Sequence, residues 1–196
     1  MQFDENIERA LSVIKRLPLV TNRTAQKILF FLLKNRQTYT KELISVLERL
    51  TSIGECRICN MPTSNEICEI CASPKRNNEL IIVEDFADLA AIEQMGEYNG
   101  KYYLLNMRLD IKSGVGPENL NLERLIENIK EQNIRDVIFA FDQSPEMEAT
   151  KLLIIEKLQP LNINMYNIAV GMPFGSELEY ADKRTVRYAL QNKVKI

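Results

Sequence analysis

The chain has 196 residues, 45% of them hydrophobic, which is enough to bury a core in one or two domains. Its 25 Lys+Arg stand against 27 Asp+Glu, a formal charge of −2, so the protein is not basic overall and any surface for nucleic acid must be local. Histidine is absent, which excludes Ser-His-Asp and Cys-His nucleophiles and every His-containing metal site.

In chain order, the opening MQFDENIERA is polar and acidic rather than a basic leader. The longest apolar run, Ile28 to Leu33, is far below the roughly 20 residues of a membrane span, so a soluble, cytoplasmic protein is expected. Ile7, Ala10, Leu11, Ile14 and Leu17 recur at helical spacing up to Pro18, and Ala25, Ile28, Leu29, Leu32 and Leu33 repeat the pattern after Leu19 to Asn22. That predicts a helical hairpin. A third helix is expected from Thr40, a candidate cap, through Leu43, Val46, Leu47 and Leu50 toward Gly54. The first 50 residues hold nine bases and five acids, and the eight bases from Arg9 to Lys41 have no acid among them. Such a stretch suits a surface that meets phosphates, or else a set of solvated helix faces.

All four cysteines follow, as Cys56-x2-Cys59-x8-Cys68-x2-Cys71. Each two-residue spacer lets one turn present two sulfurs to the same ion, so the pattern predicts one structural zinc per chain, with four thiolates and no place for water. Two disulfides are the alternative, and they need an oxidising compartment.

Past the cysteines the texture alternates. Strands are expected at Leu80 to Val83, Tyr102 to Leu105, Val137 to Phe141 and near Asn164 to Ile168, and helices at Ala87 to Met95, Leu122 to Ile129 and Glu148 to Leu158. A Gly/Pro loop spans Ser113 to Pro117, and after a loop with Gly171, Pro173 and Gly175 a last helix is expected near Thr185 to Asn192. Alternation of this kind implies a parallel sheet covered on both faces. Glu84, Asp85 and Asp88 follow the first of these strands, and Asp142, Glu146 and Glu148 follow the third. Carboxylates at the carboxyl ends of neighbouring parallel strands could converge to hold Mg2+, or the acids next to helix starts could simply favour the helix dipole. Neither a P-loop nor a Gly-x-Gly-x-x-Gly pattern occurs, so no ATPase or redox activity is expected.

Taken together, Leu17-Pro18, Ala25-Gln26-Lys27, the cysteine frame, Val83-Glu84 with Ala87-Asp88, Gly114 to Pro117, Glu146-x-Glu148-Ala149-Thr150 and the stretch from Gly171 to Asp182 resemble the bacterial RecR recombination-mediator family. The resemblance implies an α+β multidomain chain: a helix-hairpin-helix DNA-binding domain at 1–54, a four-cysteine zinc finger at 55–76, an α/β Toprim domain with a parallel sheet at 77–172, and a C-terminal loop and oligomerisation helix at 173–196. It further implies a ring-shaped tetramer that clamps DNA and works with RecO and RecF to load RecA at single-stranded gaps. Where the family hairpin reads Leu-Pro-Gly-Val-Gly, this chain has Leu17-Pro18-Leu19-Val20-Thr21, which shifts the expected DNA contact onto the side chains of Arg23 and Lys27, with Lys15 and Arg16 beside them. Glu84 matches the Toprim signature, but Asp142-Gln143-Ser144 lacks the second Asp of its Asp-x-Asp. A binding domain without catalytic residues is therefore expected, with Mg2+ not expected and a Mg2+-dependent nuclease as the alternative. Glu84, Asp88, Glu146 and Glu148 are then the face for a partner, by resemblance RecO.

Overall fold

The computed structural model describes residues 4–169, 175 and 177–191, and its Cα packing separates a unit of Met1–Ile53 from one of Gly54–Ile196. The first unit is helical. Helix α1 (Glu5–Ile14) opens on Asp4, whose carboxylate accepts from the Asn6 amide at 2.9 Å. Helix α2 (Asn22–Lys34) opens on Thr21, whose hydroxyl accepts from the Thr24 amide at 3.2 Å, and ends where the Asn35 side chain donates to the Phe31 carbonyl at 2.8 Å. Helix α3 (Tyr39–Leu50) starts one residue before Thr40, and Thr40 is not its cap. The Thr40 hydroxyl instead donates to the Leu32 carbonyl at 2.7 Å, an acceptor left without a partner at the end of α2.

The second unit begins with the cysteine segment. Two-residue strands β1 (Gly54–Glu55) and β2 (Pro62–Thr63) pair antiparallel, and the short helix α4 (Glu69–Ala72) opens on Cys68. Then come β3 (Glu79–Val83), α5 (Phe86–Gln94), β4 (Lys101–Leu104), α6 (Leu122–Glu131), β5 (Asp136–Ala140), α7 (Pro145–Leu158), β6 (Asn164–Asn167) and α8 (Lys183–Gln191). Helix α7 begins three residues earlier than the apolar pattern suggests. Ser144 caps it by accepting from the Met147 amide, and Pro145 takes the first position, where a missing N–H costs nothing. Gly171, Pro173 and Asn192 lie outside the described residues.

Strands β4-β3-β5-β6 form one parallel sheet in that order. Its central strand β3 is apolar from Leu80 to Val83 because both of its faces are covered. Leu80 and Ile82 pack with Leu125 and Ile129 of α6 and Ile154 and Leu158 of α7. Ile81 and Val83 face the other way, onto Leu89 of α5 and onto Met61 and Ile70 of the cysteine segment. The cysteine segment thus forms part of the cover of one sheet face through the partly buried Met61 and Ile70, each contributing less than the roughly 1.5–3 kcal/mol of full burial.

Candidate metal centre and charged faces

The four sulfurs of Cys56, Cys59, Cys68 and Cys71 lie within 4.8 Å of one another, and no two are joined in a disulfide. A tetrahedral zinc with bonds of about 2.3 Å places its ligand sulfurs about 3.8 Å apart, and Cys59 Sγ and Cys68 Sγ are 3.6 Å apart. The local folding that achieves this is simple. Asn60 adopts a positive φ of 63°, which turns the chain sharply so that its amide returns to the Cys56 carbonyl at 3.0 Å. Backbone amides also point at sulfur, Cys68 N to Cys56 Sγ at 3.3 Å and Cys71 N to Cys68 Sγ at 3.4 Å, as suits thiolates. Hydrogen bonding between Cys59 and Cys68 drives the Cys59 thiol up and the Cys68 thiol down, so the crowded sulfurs cannot all ionise without a cation among them. The residues fit one zinc ion, and the disulfide alternative is not realised.

This knuckle is fastened to the sheet. The Leu104 amide, on edge strand β4, donates to the Cys59 carbonyl at 2.9 Å, and the Asn60 side chain donates to the Leu104 carbonyl at 2.8 Å. From α6, Arg124 donates to the carbonyls of Arg57 and Cys56 at 2.9 and 2.7 Å, and Asn128 donates to the Ile58 carbonyl at 2.8 Å. Arg124 and Asn128 are one helical turn apart, so both can face one target. Nothing in the sequence pointed to that target, because it lies almost 70 residues away.

On the helical unit, Lys15 and Arg16 follow the end of α1, Arg23 lies in the first turn of α2, and Lys27 is one turn further. All four are exposed, and none is in an ion pair among the described residues. The turn between the helices holds Leu19 at φ 62°, fully exposed. A leucine in that left-handed backbone costs about 1–2 kcal/mol that a glycine would not.

On the α/β domain, β3 and β5 are neighbours, with Val83 opposite Ala140, so Glu84 and Asp142 leave adjacent strands at the same end of the sheet. Between them stands Arg108, Nη1 at 3.3 Å from Glu84 Oε1 and 3.9 Å from Asp142 Oδ2. Burial holds the Glu84 carboxyl above its usual range against the pull of Arg108, and Asp142, Asp88 and Asp85 add to the rise. Asp142 is held below the usual range by the hydroxyl and amide of Ser144, which its Oδ1 accepts at 2.6 and 2.9 Å. Glu148 pairs instead with Lys151 at 2.6 Å, and Glu146 makes no ion pair among the described residues. Arg108 went unread in the sequence, since a lone arginine in a loop carries no periodic signal, and Thr150 entered only as part of the Glu146 to Thr150 stretch, with nothing to show that it is buried.

A four-thiolate zinc site packed against a parallel four-stranded sheet with acids at its carboxyl end defines a zinc-finger protein with a Toprim domain. Family models agree: residues 53–73 match the RecR four-cysteine zinc finger domain, 78–169 the Toprim domain and 171–194 the RecR C-terminal region. The chain is 37% identical over 99% of both chains to Recombination protein RecR of Acinetobacter baylyi. It is 35% identical over 98% of both chains to the proteins of that name from Lactobacillus helveticus and Desulforudis audaxviator. The chain belongs to the RecR recombination protein family.

Proposed function

We propose that this protein is a non-enzymatic DNA clamp and adaptor in recombinational repair, working in the cytoplasm on nucleoid DNA. Several copies hold DNA through the α1–α2 hairpin, while Glu84, Asp88, Glu146 and Glu148 present an acidic face to a protein partner. The partners are RecO and RecF, and the task is to load RecA at single-stranded gaps. The observation that carries this reading is the set of exposed, unpaired cations Lys15, Arg16, Arg23 and Lys27 around a hairpin whose second helix has no acid in its first turn. With Leu19 at the turn, attraction to phosphate falls on these side chains, so binding tolerates any base sequence and weakens steeply with salt. The non-enzymatic part is supported by Arg108 bridging Glu84 and Asp142, and by Ser144 standing where a second carboxylate would be.

The test is Arg23→Ala with Lys27→Ala. Affinity for duplex and single-stranded DNA should fall for all sequences, and the log–log salt slope on duplex should flatten by about 2, at about 0.9 per lost phosphate contact. Zinc content and oligomer mass should stay as in the parent. Parental affinity at several salt concentrations would remove the hairpin as the DNA surface. Cleavage of labelled DNA in Mg2+, abolished by Glu84→Gln, would overturn the non-enzymatic reading.

A further inference from the structure

The segment after β4 is fixed at both ends of Arg108. Two residues before it, the Asn106 amide donates to the Glu84 carbonyl at 2.9 Å, and one residue after it, the Leu109 amide donates to Thr150 Oγ1 at 2.9 Å. Thr150 is fully buried and is itself anchored by its bond to the Glu146 carbonyl at 2.7 Å. Leu105 and Leu109 pack onto the main core. The backbone on either side of Arg108 is thus anchored, and from it the exposed side chain reaches the carboxylate pair. Once there, it leaves little for another cation. Asp142 Oδ1 is engaged by Ser144, Oδ2 and Glu84 Oε1 face the guanidinium, and a dication between them would be repelled by that positive charge. Magnesium also demands near-octahedral oxygen at about 2.0–2.1 Å, for which Gln143 and Ser144 supply no second carboxylate.

We propose that Arg108 is the resident cation of the Toprim carboxylate pair, occupying the place a divalent ion would need and making this face of the domain metal-independent. The inference rests on the non-enzymatic reading and assigns the residue that enforces it. Arg108 holds the Glu84 and Asp142 carboxylates in position without any ion from solution, and Glu84 keeps its place in the proposed acidic face.

The experiment compares the full-length wild type with Arg108→Ala and Arg108→Lys, adding Mn2+ at constant ionic strength. Affinity is followed by titration, and the binding position by paramagnetic broadening of the Glu84 and Asp142 amides. Wild type should show no selective broadening at millimolar Mn2+. Arg108→Ala should bind Mn2+ at least tenfold more tightly, melt at lower temperature without metal and recover on adding it, and a further Glu84→Gln should abolish the recovery. Arg108→Lys, which keeps the charge, should resemble wild type. Selective broadening at Glu84 in wild type overturns the proposal even if Arg108→Ala does not fold, and equal Mn2+ affinity in wild type and Arg108→Ala overturns it when that variant does. Failure of wild type to bind DNA would overturn the clamp reading alone. Mn2+ at Glu84 without DNA cleavage would overturn this inference alone.

Discussion

Arg76 shows how one side chain can fix a connection. It lies in the loop between the cysteine segment and β3, donates to the carbonyls of Tyr98 and Gly100 at 3.2 Å each, and pairs with Glu93, which also accepts from the Tyr102 hydroxyl at 2.8 Å. Arg76, the better buried partner, would be left without its counter-charge if Glu93 were neutralised. The Arg76 hydrogen bond, then that of Tyr102, holds the Glu93 carboxyl below its usual range despite some burial. A carboxyl lowered in the folded state stabilises the protein above its unfolded value and loses that contribution as pH falls through the folded one. Glu93→Gln should therefore unfold at lower urea than the parent at pH 7, by about 1–2 kcal/mol, the order of one charged hydrogen bond. The gap should shrink as pH drops from about 5 through the lowered Glu93 value. Zinc thiolates also protonate on acidification, so the difference between the two proteins is the measure. A gap that stays constant with pH would show that the pair is not the titrating link.

At the scale of elements, the knuckle around Cys56 and Cys59 does two jobs. It holds metal, and it occupies the outer edge of β4, whose amide at Leu104 would otherwise be an open edge donor. A segment this short has little core of its own, so metal binding supplies its folding free energy. Native protein should carry one zinc per chain. After chelation, the Leu104 and Cys56 amides should exchange with solvent about a hundredfold faster or more, which corresponds to about 2.7 kcal/mol of lost local stability. The amides of β3, at the centre of the sheet, should keep most of their protection. Equal loss across β3 and β4 would mean that the zinc segment and sheet unfold as one unit.

At the scale of the whole molecule, what matters is how much apolar surface the helical unit leaves exposed. The helical unit buries only Ala25 and Leu29 among its described residues, while Phe30, Phe31, Ile44, Leu47 and Leu50 stay exposed. Helices with so small a core gain stability from packing against something else, and further copies of the chain are the proposed cover. Light scattering should give a mass near four times the 22.7 kDa chain, and Phe30→Glu with Leu47→Glu should lower that mass without changing zinc content. A 22.7 kDa species at micromolar concentration in the parent would overturn the proposal that copies of the chain cover this surface as a tetramer. Among the described residues no helix is long and apolar enough to cross a membrane.

What the amino-acid sequence determined by itself is what depends on neighbours along the chain. The two-residue spacers of the cysteine pairs specify a knuckle locally, and the helical and strand periods of residues such as Ile28, Leu29, Ile82 and Val137 follow from burial on one or both faces. These features carried the zinc set, the order of parts and the alternation of strand and helix into the structure. Thr40 came out differently because its hydroxyl meets the Leu32 carbonyl only after the turn has formed, whereas the start of α7 was written locally in Ser144-Pro145, a cap and first-position proline that the apolar period does not register. Tertiary structure alone decided the sheet order, the seat of the knuckle on β4, the ties from Arg124 and Asn128, and the arrival of Arg108 between Glu84 and Asp142. Each of these joins residues far apart in the chain, and such a pairing leaves no period in a sequence because it is selected by packing once the sheet has closed.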